Sequence, residues 1–456
     1  MVATPLLRRK KLRMNWLLSV PLLSSTVLLV IDVVAALVVI GLLVRPRTRR
    51  TWWRWVVLAV LVGAGLGAVT TWWLGDVRDV LGLSPTWVDR LWVAAVAAGL
   101  GVVVVNLFRT RWWRKLVAVL AVLVFASAGG LALNRDGSVY QDMSQVLGQD
   151  EVPALSVTTT APPSAAPDSS PFDPTLWSTW KAPADLPATG RYGSVSIPGR
   201  VSHFPARDAV VYLPPAALVA DAPALPVMIM MSGQPAEPSS VVTAGHLVET
   251  LDVFAAKNHG LAPIVVVPDQ LSADAHNPMC VDGALGNSAT YITTDVVDYM
   301  ASHFHVASGP RAWAIGGFSQ GGTCSIQFAA ARPDLFSTFI DVSGELGPSI
   351  GDEKTTIAQG FAGNRAAYEA AQPQAIMARH RPYADTAAFF AVGATDGRYG
   401  QIMTVNSAAA AKAGMVVTRY VSPGSGHDWT TATNGFAHGI GQFYPRLGLS
   451  ATVQVP

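Results

Sequence analysis

The sequence predicts two parts: an α-helical membrane domain of four transmembrane helices, then an α/β domain with a mostly parallel, helix-flanked sheet. Three observations predict this. The 456 residues are 50% hydrophobic and only 14% charged, with mean hydropathy +0.34, too apolar for a soluble domain alone. Four long apolar stretches fill the region before position 135. From about Arg191 the pattern changes to short β-branched runs alternating with helix-like segments.

The apolar stretches are Leu17–Val44, Val56–Trp73, Leu91–Leu107 and Leu116–Leu133. Each approaches or exceeds the length needed to cross a hydrocarbon core about 30 Å thick. Trp53 and Trp72 bracket the second stretch and would lie about 28 Å apart on a helix rising 1.5 Å per residue. Trp92, Trp112 and Trp113 flank the third, at the headgroup depth that tryptophan favours. No signal-peptide cleavage pattern separates these stretches. Asp32 lies inside the first, where an isolated carboxylate either faces the bundle or pairs with a neighbouring helix, or else serves a function.

Orientation follows from the connecting loops. Arg45, Arg47, Arg49, Arg50 and Arg54 fill one, and Arg109, Arg111, Arg114 and Lys115 another. The intervening loop is mixed in sign, and the segment after the fourth stretch is nearly free of cations. The positive-inside rule makes the basic loops cytoplasmic and the remainder of the chain extracytoplasmic in a multi-pass plasma-membrane protein. The run Arg8–Arg13 would then fall on the wrong side, a conflict that disappears if translation starts at Met14 rather than Met1.

Residues 1–135 form the membrane domain in this reading. Residues 136–190 form a linker, rich in Pro, Ser and Thr between Ser156 and Trp177, and residues 191–450 the α/β domain. Strands are expected at "DAVVYLP", "LPVMIMM", "PIVVVPD", "RAWAIGG", "STFIDVSG", "AAFFAVGA" and "VVTRYVSP". Helices are expected at "VVTAGHLVETLDVFAAKN", "YITTDVVDYMASHF", "GGTCSIQFAAARP", "RAAYEAAQPQAIMARH" and "TVNSAAAAKAG".

One of these strand–helix junctions carries chemistry. Gly317, Ser319 and Gly321 fit the G-x-S-x-G turn that exposes a nucleophile at the carboxyl edge of an α/β-hydrolase sheet. Glycine suits both flanks because a turn this tight leaves no room for Cβ atoms. A serine hydroxyl needs a base, and that fold orders its triad Ser, then Asp or Glu, then His. His427 follows the last strand and precedes a helix; His380 reads as surface, and His438 as mid-helix. Asp396 lies just past the penultimate strand and is the expected acid; Glu345 is its main competitor. Asp341 lies within a strand, and Asp428 is adjacent to His427, so both are weaker candidates. The oxyanion hole needs two backbone N–H donors: Gln320, and either Gly233 or Gln234 in the loop after "LPVMIMM".

The only cysteines are Cys280 and Cys324. In an extracytoplasmic domain they are expected to form a disulfide. It would tie a loop at the rim of the site to the nucleophile's own helix. Net charge is +2, which gives no general electrostatic case for nucleic acid. No zinc-type Cys/His spacing and no H-E-x-x-H motif occur.

Taken together, "GGFSQGG" around Ser319, "PDLFSTFIDVSGE" downstream and "GSGHDW" around His427 resemble the putative-esterase branch of the α/β-hydrolases. That branch contains esterase D-like enzymes and the mycoloyltransferases of the actinobacterial envelope. The resemblance covers about Arg191 to Leu447. It implies a Ser–acid–His triad, ester chemistry and no cofactor. Many relatives carry His-Gly where this chain has Ser232-Gly233. The four-span region joined to such a domain resembles membrane-anchored actinobacterial esterase-like proteins. This implies lipid-linked substrates, such as aminoacyl esters of membrane lipids, or esters of the cell envelope. Three functions compete: a serine ester hydrolase, an acyltransferase built on the same acyl-enzyme, and a non-catalytic envelope-binding module. The last predicts a disrupted triad, whereas Ser319, Asp396 and His427 stand in order.

Overall fold

A computed structural model describes residues 18–44, 50–78, 85–108, 110–147, 152–156, 170–273 and 276–456. Arg8–Arg13, Met14, Arg45, Arg47, Arg49, Arg109 and most of the Pro/Ser/Thr-rich stretch lie outside the described residues. The chain divides into two compact units, Met1–Glu151 and Val152–Pro456.

The first unit has four helices long and apolar enough to cross a membrane. They are α1 (Ser25–Leu43), α2 (Arg50–Thr71, continued by a π-helical segment to Val77), α3 (Trp87–Leu107) and α4 (Trp112–Gly137). Thr86 and Asp89 form a reciprocal capping box at the start of α3. The pairings of Gly63 with Ala97 and of Gly101 with Ala59 make α2 and α3 antiparallel. Gly63 and Gly67 of α2 meet Ala97 and Ala94 of α3 so closely that added Cβ atoms would lie 2.4 and 2.8 Å from backbone atoms. Small residues at such spacing let helices approach where lipid provides no hydrophobic drive.

The two ends of this bundle differ in charge. At one end Arg114 donates to the Gly41, Leu42 and Val44 carbonyls at the close of α1. A cation there meets the negative end of the helix dipole. Arg50, Arg54, Arg111 and Lys115 share this end, with no acidic residue among those described. At the other end Arg90 and Asp76 pair through two bonds of 2.7 and 2.8 Å, and Thr86 donates to Asp136. Asp32 is exposed on the outer side of α1, not turned toward the neighbouring helices.

The second unit is built on an eight-stranded sheet. Its strands are β1 (Arg191–Val195), β2 (Ala209–Leu213), β3 (Val227–Met231), β4 (Ile264–Val267), β5 (Trp313–Phe318), β6 (Thr338–Val342), β7 (Ala387–Gly393) and β8 (Val416–Ser422). The order is β8-β7-β6-β5-β3-β4-β2-β1. Strand β2 is antiparallel to both β1 and β4; every other neighbouring pair is parallel. Strands β3 to β7 are buried along their whole length, which explains why they read as largely apolar runs, Thr338 and Asp341 of β6 apart. All seven expected strands form. Strand β1 is additional to these: "RYGSV" has only two buried positions and so carries no apolar run.

Helices α5 (Leu247–Lys257), α6 (Val296–His303), α7 (Gln320–Ala331), α8 (Pro373–His380), α9 (Gly397–Lys412) and α10 (Trp429–Phe443) link and flank the strands. Helix α10 packs on β6, β7 and β8 and touches α5; α7 packs on β3, β5 and β6 and touches α8. Two expected helices are broken. The Val241–Asn258 stretch splits into Pro238–Thr243 and α5, because the chain bends at Gly245 and His246 takes a left-handed φ of 48°. The stretch from Arg365 splits before Pro373, whose missing N–H is tolerated only in the first helical turn. Part of the expected linker, residues 136–190, packs onto this unit. Ala154 bridges to Ser194, Leu176 is buried, and Trp180 Nε1 donates to the His259 carbonyl.

Candidate active site

Ser319 sits where β5 turns into α7. Its backbone adopts φ 56°, ψ −117°, a region that non-glycine residues rarely occupy. The flanking glycines make the turn possible. A Cβ on Gly317 would lie 2.4 Å from Gly321 C, and one on Gly321 would lie 2.5 Å from both the Met231 and Ser232 carbonyl oxygens. The Ser319 N–H donates to the Val342 carbonyl at 2.8 Å, which anchors the turn to the end of β6.

The imidazole of His427 meets this hydroxyl. Its Nε2 lies 2.9 Å from Ser319 Oγ, and its Nδ1 lies 3.2 Å from Asp396 Oδ2. All three groups are nearly enclosed, with exposures of 9% for Ser319 and 11% and 8% for the His427 and Asp396 side chains. Asp396 follows β7 and caps α9, accepting from Tyr399 N through Oδ1 at 3.1 Å. One oxygen is thus fixed by the helix and the other faces the ring. The acid loop and the histidine loop are tied together, since Thr395 donates to the Ser425 carbonyl from both N–H and hydroxyl.

The other acids fall elsewhere. Asp428 is occupied as the cap of α10, accepting from Thr431 N and Gly426 N. Asp341 is buried in β6, where desolvation pushes its carboxyl up to about 7 although Gly344 N donates to it. Glu345 lies on the loop after β6; its N–H donates to Thr323 Oγ1, and its carbonyl accepts from Asn406. His380 is exposed at the end of α8, and His438 stacks on Tyr420 within α10.

Both expected oxyanion elements lie beside the nucleophile. Gln320 is the first residue of α7, so its N–H has no acceptor within its own helix. Gly233 approaches so closely that a Cβ there would lie 3.0 Å from Ser319 Cβ. Gln234 follows it, its side chain bonded to Asn277 at 2.9 Å. Cys280 and Cys324 are joined in a disulfide, their Cα atoms 5.2 Å apart.

Sequence reasoning missed the walls of the site. The His427 ring packs against Tyr399 and Phe318, with centroids 4.0 and 4.9 Å away. Each follows or precedes an expected triad member by a few positions, which was the available signal. Asn277 and Gln270 also contact the oxyanion elements, and only the nearness of Asn277 to Cys280 in sequence could have pointed to either.

Residues 206–439 match the family described as "Putative esterase". The chain belongs to this family, and it is an ester hydrolase. The esterase is also similar to an uncharacterized protein of Corynebacterium glutamicum, with 30% identity over 394 residues, covering 84% of this chain and 87% of that one. That span is longer than the second unit, so the likeness extends into the helical unit. Among solved structures, the esterase is similar to a ferulic acid esterase (18% identity, 57% of this chain and 97% of the other, TM-score 0.47). It is similar to an S-formylglutathione hydrolase from Agrobacterium tumefaciens as well (17% identity, 58% and 98%, TM-score 0.47).

Proposed function

We propose that this esterase is membrane-anchored, with its second unit on the extracytoplasmic face, and that it cleaves lipid-linked or cell-envelope esters through an acyl-enzyme on Ser319. The observation that carries the reading is the unbroken relay from Ser319 Oγ through His427 to Asp396, at 2.9 and 3.2 Å. With Nδ1 protonated toward Asp396, Nε2 is left as acceptor and takes the serine proton as Oγ attacks the ester carbonyl. The negative charge that develops on the carbonyl oxygen is met by the N–H of Gln320 and by one from Gly233 or Gln234. His427 then protonates the departing alkoxide. In the second half His427 deprotonates water, which releases the acid and restores Ser319. An acceptor hydroxyl taking the place of water gives acyl transfer by the same steps.

The side of the membrane is argued from charge. The basic end of the bundle carries Arg50, Arg54, Arg111, Arg114 and Lys115, and helix α4 ends at the opposite side, from which the chain runs on into the second unit. Anchoring raises the local concentration of esters held in or on the same membrane.

The test uses the full chain in detergent and a fluorophosphonate probe. Wild type is expected to label, and Ser319→Ala to lose labelling while its thermal unfolding stays within a few degrees. Labelling that persists in Ser319→Ala removes the nucleophile assignment. Comparing the membrane lipids and envelope acyl groups of cells carrying either form identifies the substrate, and products formed with and without an added alcohol separate hydrolysis from transfer.

A further inference from the structure

An oxyanion site works only if its donors are held where charge will develop, and here the candidate donors come from two separate loops. One is the turn after β3 at Gly233 and Gln234; the other is the first residue of α7, Gln320. Something must hold them in register.

A third loop, between β4 and α6, does this. The Asn277 carboxamide is 7% exposed and uses its full hydrogen-bonding capacity. Its Nδ2 donates to Gln234 Oε1 at 2.9 Å and to the Ser349 carbonyl at 3.1 Å. Its Oδ1 accepts from Gln320 Nε2 at 3.1 Å and from Met279 N at 2.8 Å. The fully buried Gln270 completes the link: its Nε2 donates to Gln320 Oε1 at 2.9 Å and to the Ser232 carbonyl at 2.7 Å. The path therefore runs from Ser232 through Gln270, Gln320 and Asn277 to Gln234, starting and ending on the loop that bears Gly233. The disulfide secures it, because Cys280 follows Asn277 by three positions and is bonded to Cys324 on α7. Gln320 Nε2 also donates to Cys280 Sγ at 3.3 Å.

We propose that Asn277 is a positioning residue that sets the spacing of the two oxyanion donors, and that the Cys280–Cys324 disulfide holds its loop in place. The proposal rests on the Ser319 reading given above. Asn277 does not touch the reacting atoms; it acts through the side chains of Gln234 and Gln320. Loosening it slows the chemical step and leaves substrate binding alone.

The experiment measures kcat and KM for p-nitrophenyl butyrate, inhibition by phenylboronic acid, fluorophosphonate labelling and thermal unfolding, all on the full chain in detergent. Asn277→Ala is expected to lower kcat about 10- to 100-fold with KM within twofold. The boronic acid forms a tetrahedral adduct, so its inhibition constant is expected to rise by a similar factor. Gln234→Ala is expected to act through the same tie, so adding it to Asn277→Ala costs little more. If Asn277→Ala does not fold, Asn277→Asp keeps the acceptor for Gln320 and loses the donor to Gln234, and a kcat loss is expected again. A folded variant of either kind with wild-type kcat overturns the proposal. So does a kcat loss without a matching rise in the inhibition constant. The Ser319→Ala arm is separate: labelling that persists there breaks the underlying reading and leaves the hydrogen-bonded tie itself untouched.

Discussion

Gly321→Ala isolates the steric argument for the nucleophile turn. The added Cβ would lie 2.5 Å from the Met231 and Ser232 carbonyl oxygens, where ordinary contact begins at 3.4 Å. Both oxygens are held by their surroundings. Met231 ends a strand in the middle of the sheet, and the Ser232 carbonyl accepts from the buried Gln270. The start of α7 must therefore shift by about 0.9 Å, the difference between those two distances. A shift of that size along the Ser319–His427 direction stretches a 2.9 Å hydrogen bond beyond useful range. Strain of this kind costs about 1–3 kcal/mol in stability. Misplacement by about 1 Å costs about 100-fold in rate. The assay is the rate of fluorophosphonate labelling beside thermal unfolding, both in detergent. Gly400→Ala is the control, since nothing lies within 4 Å of a Cβ there and the residue is helical. Wild-type labelling by Gly321→Ala would refute the claim that crowding at this turn places the hydroxyl.

Two further outcomes are expected. Asp396→Asn can present its amide N–H to Nδ1, which stabilises the wrong imidazole tautomer, and kcat is expected to fall about 10³- to 10⁴-fold with little change in KM; a loss under tenfold would remove Asp396 from the acid role. Asp341 predicts a pH effect on stability. Its carboxyl is pushed up to about 7 in the fold against 3.8 in the unfolded chain, so between those values the native state holds a proton that the unfolded state has released. Stability from this residue therefore falls as pH rises through that window, by up to about 4 kcal/mol. Asp341→Asn keeps an acceptor for Gly344 and is expected to flatten the decline; equal slopes of melting temperature between pH 5 and pH 8 in both proteins would contradict the assignment.

Much of this was legible because local constraints and chemistry coincide. The strands β3 to β7 announce themselves as apolar runs because both faces of a parallel sheet are covered. Ser319 is legible because its turn imposes glycine on both sides, and His427 and Asp396 because the fold delivers them at the ends of successive strands. The walls and ties of the site were not legible. Asn277 comes from a loop with no periodic pattern, and the two glutamines it joins lie 43 residues away, one in each direction. A carboxamide that bridges two loops leaves no mark on the residues next to it in sequence. Helix breaks were hidden for a different reason: the apolar spacing continues across Gly245 and Pro373, and only the backbone chemistry interrupts it.

Two lines of support for the proposed side of the membrane depend on different physics. The charge asymmetry between the ends of the bundle concerns the energetics of insertion and involves the first unit alone. The disulfide concerns the redox poise around the second unit, since such bridges persist in oxidising compartments. Neither implies the other: a reversed bundle would not alter the pairing of Cys280 with Cys324, and reduced cysteines would not move an arginine. In the proposed orientation both are explained at once. The oxidising side also suits the site itself, because the bridge that needs that environment closes a 44-residue span, worth about 4 kcal/mol by chain entropy, and secures the Asn277 loop. On the reducing side the same bridge would be lost, and with it the restraint it places on the Asn277 loop.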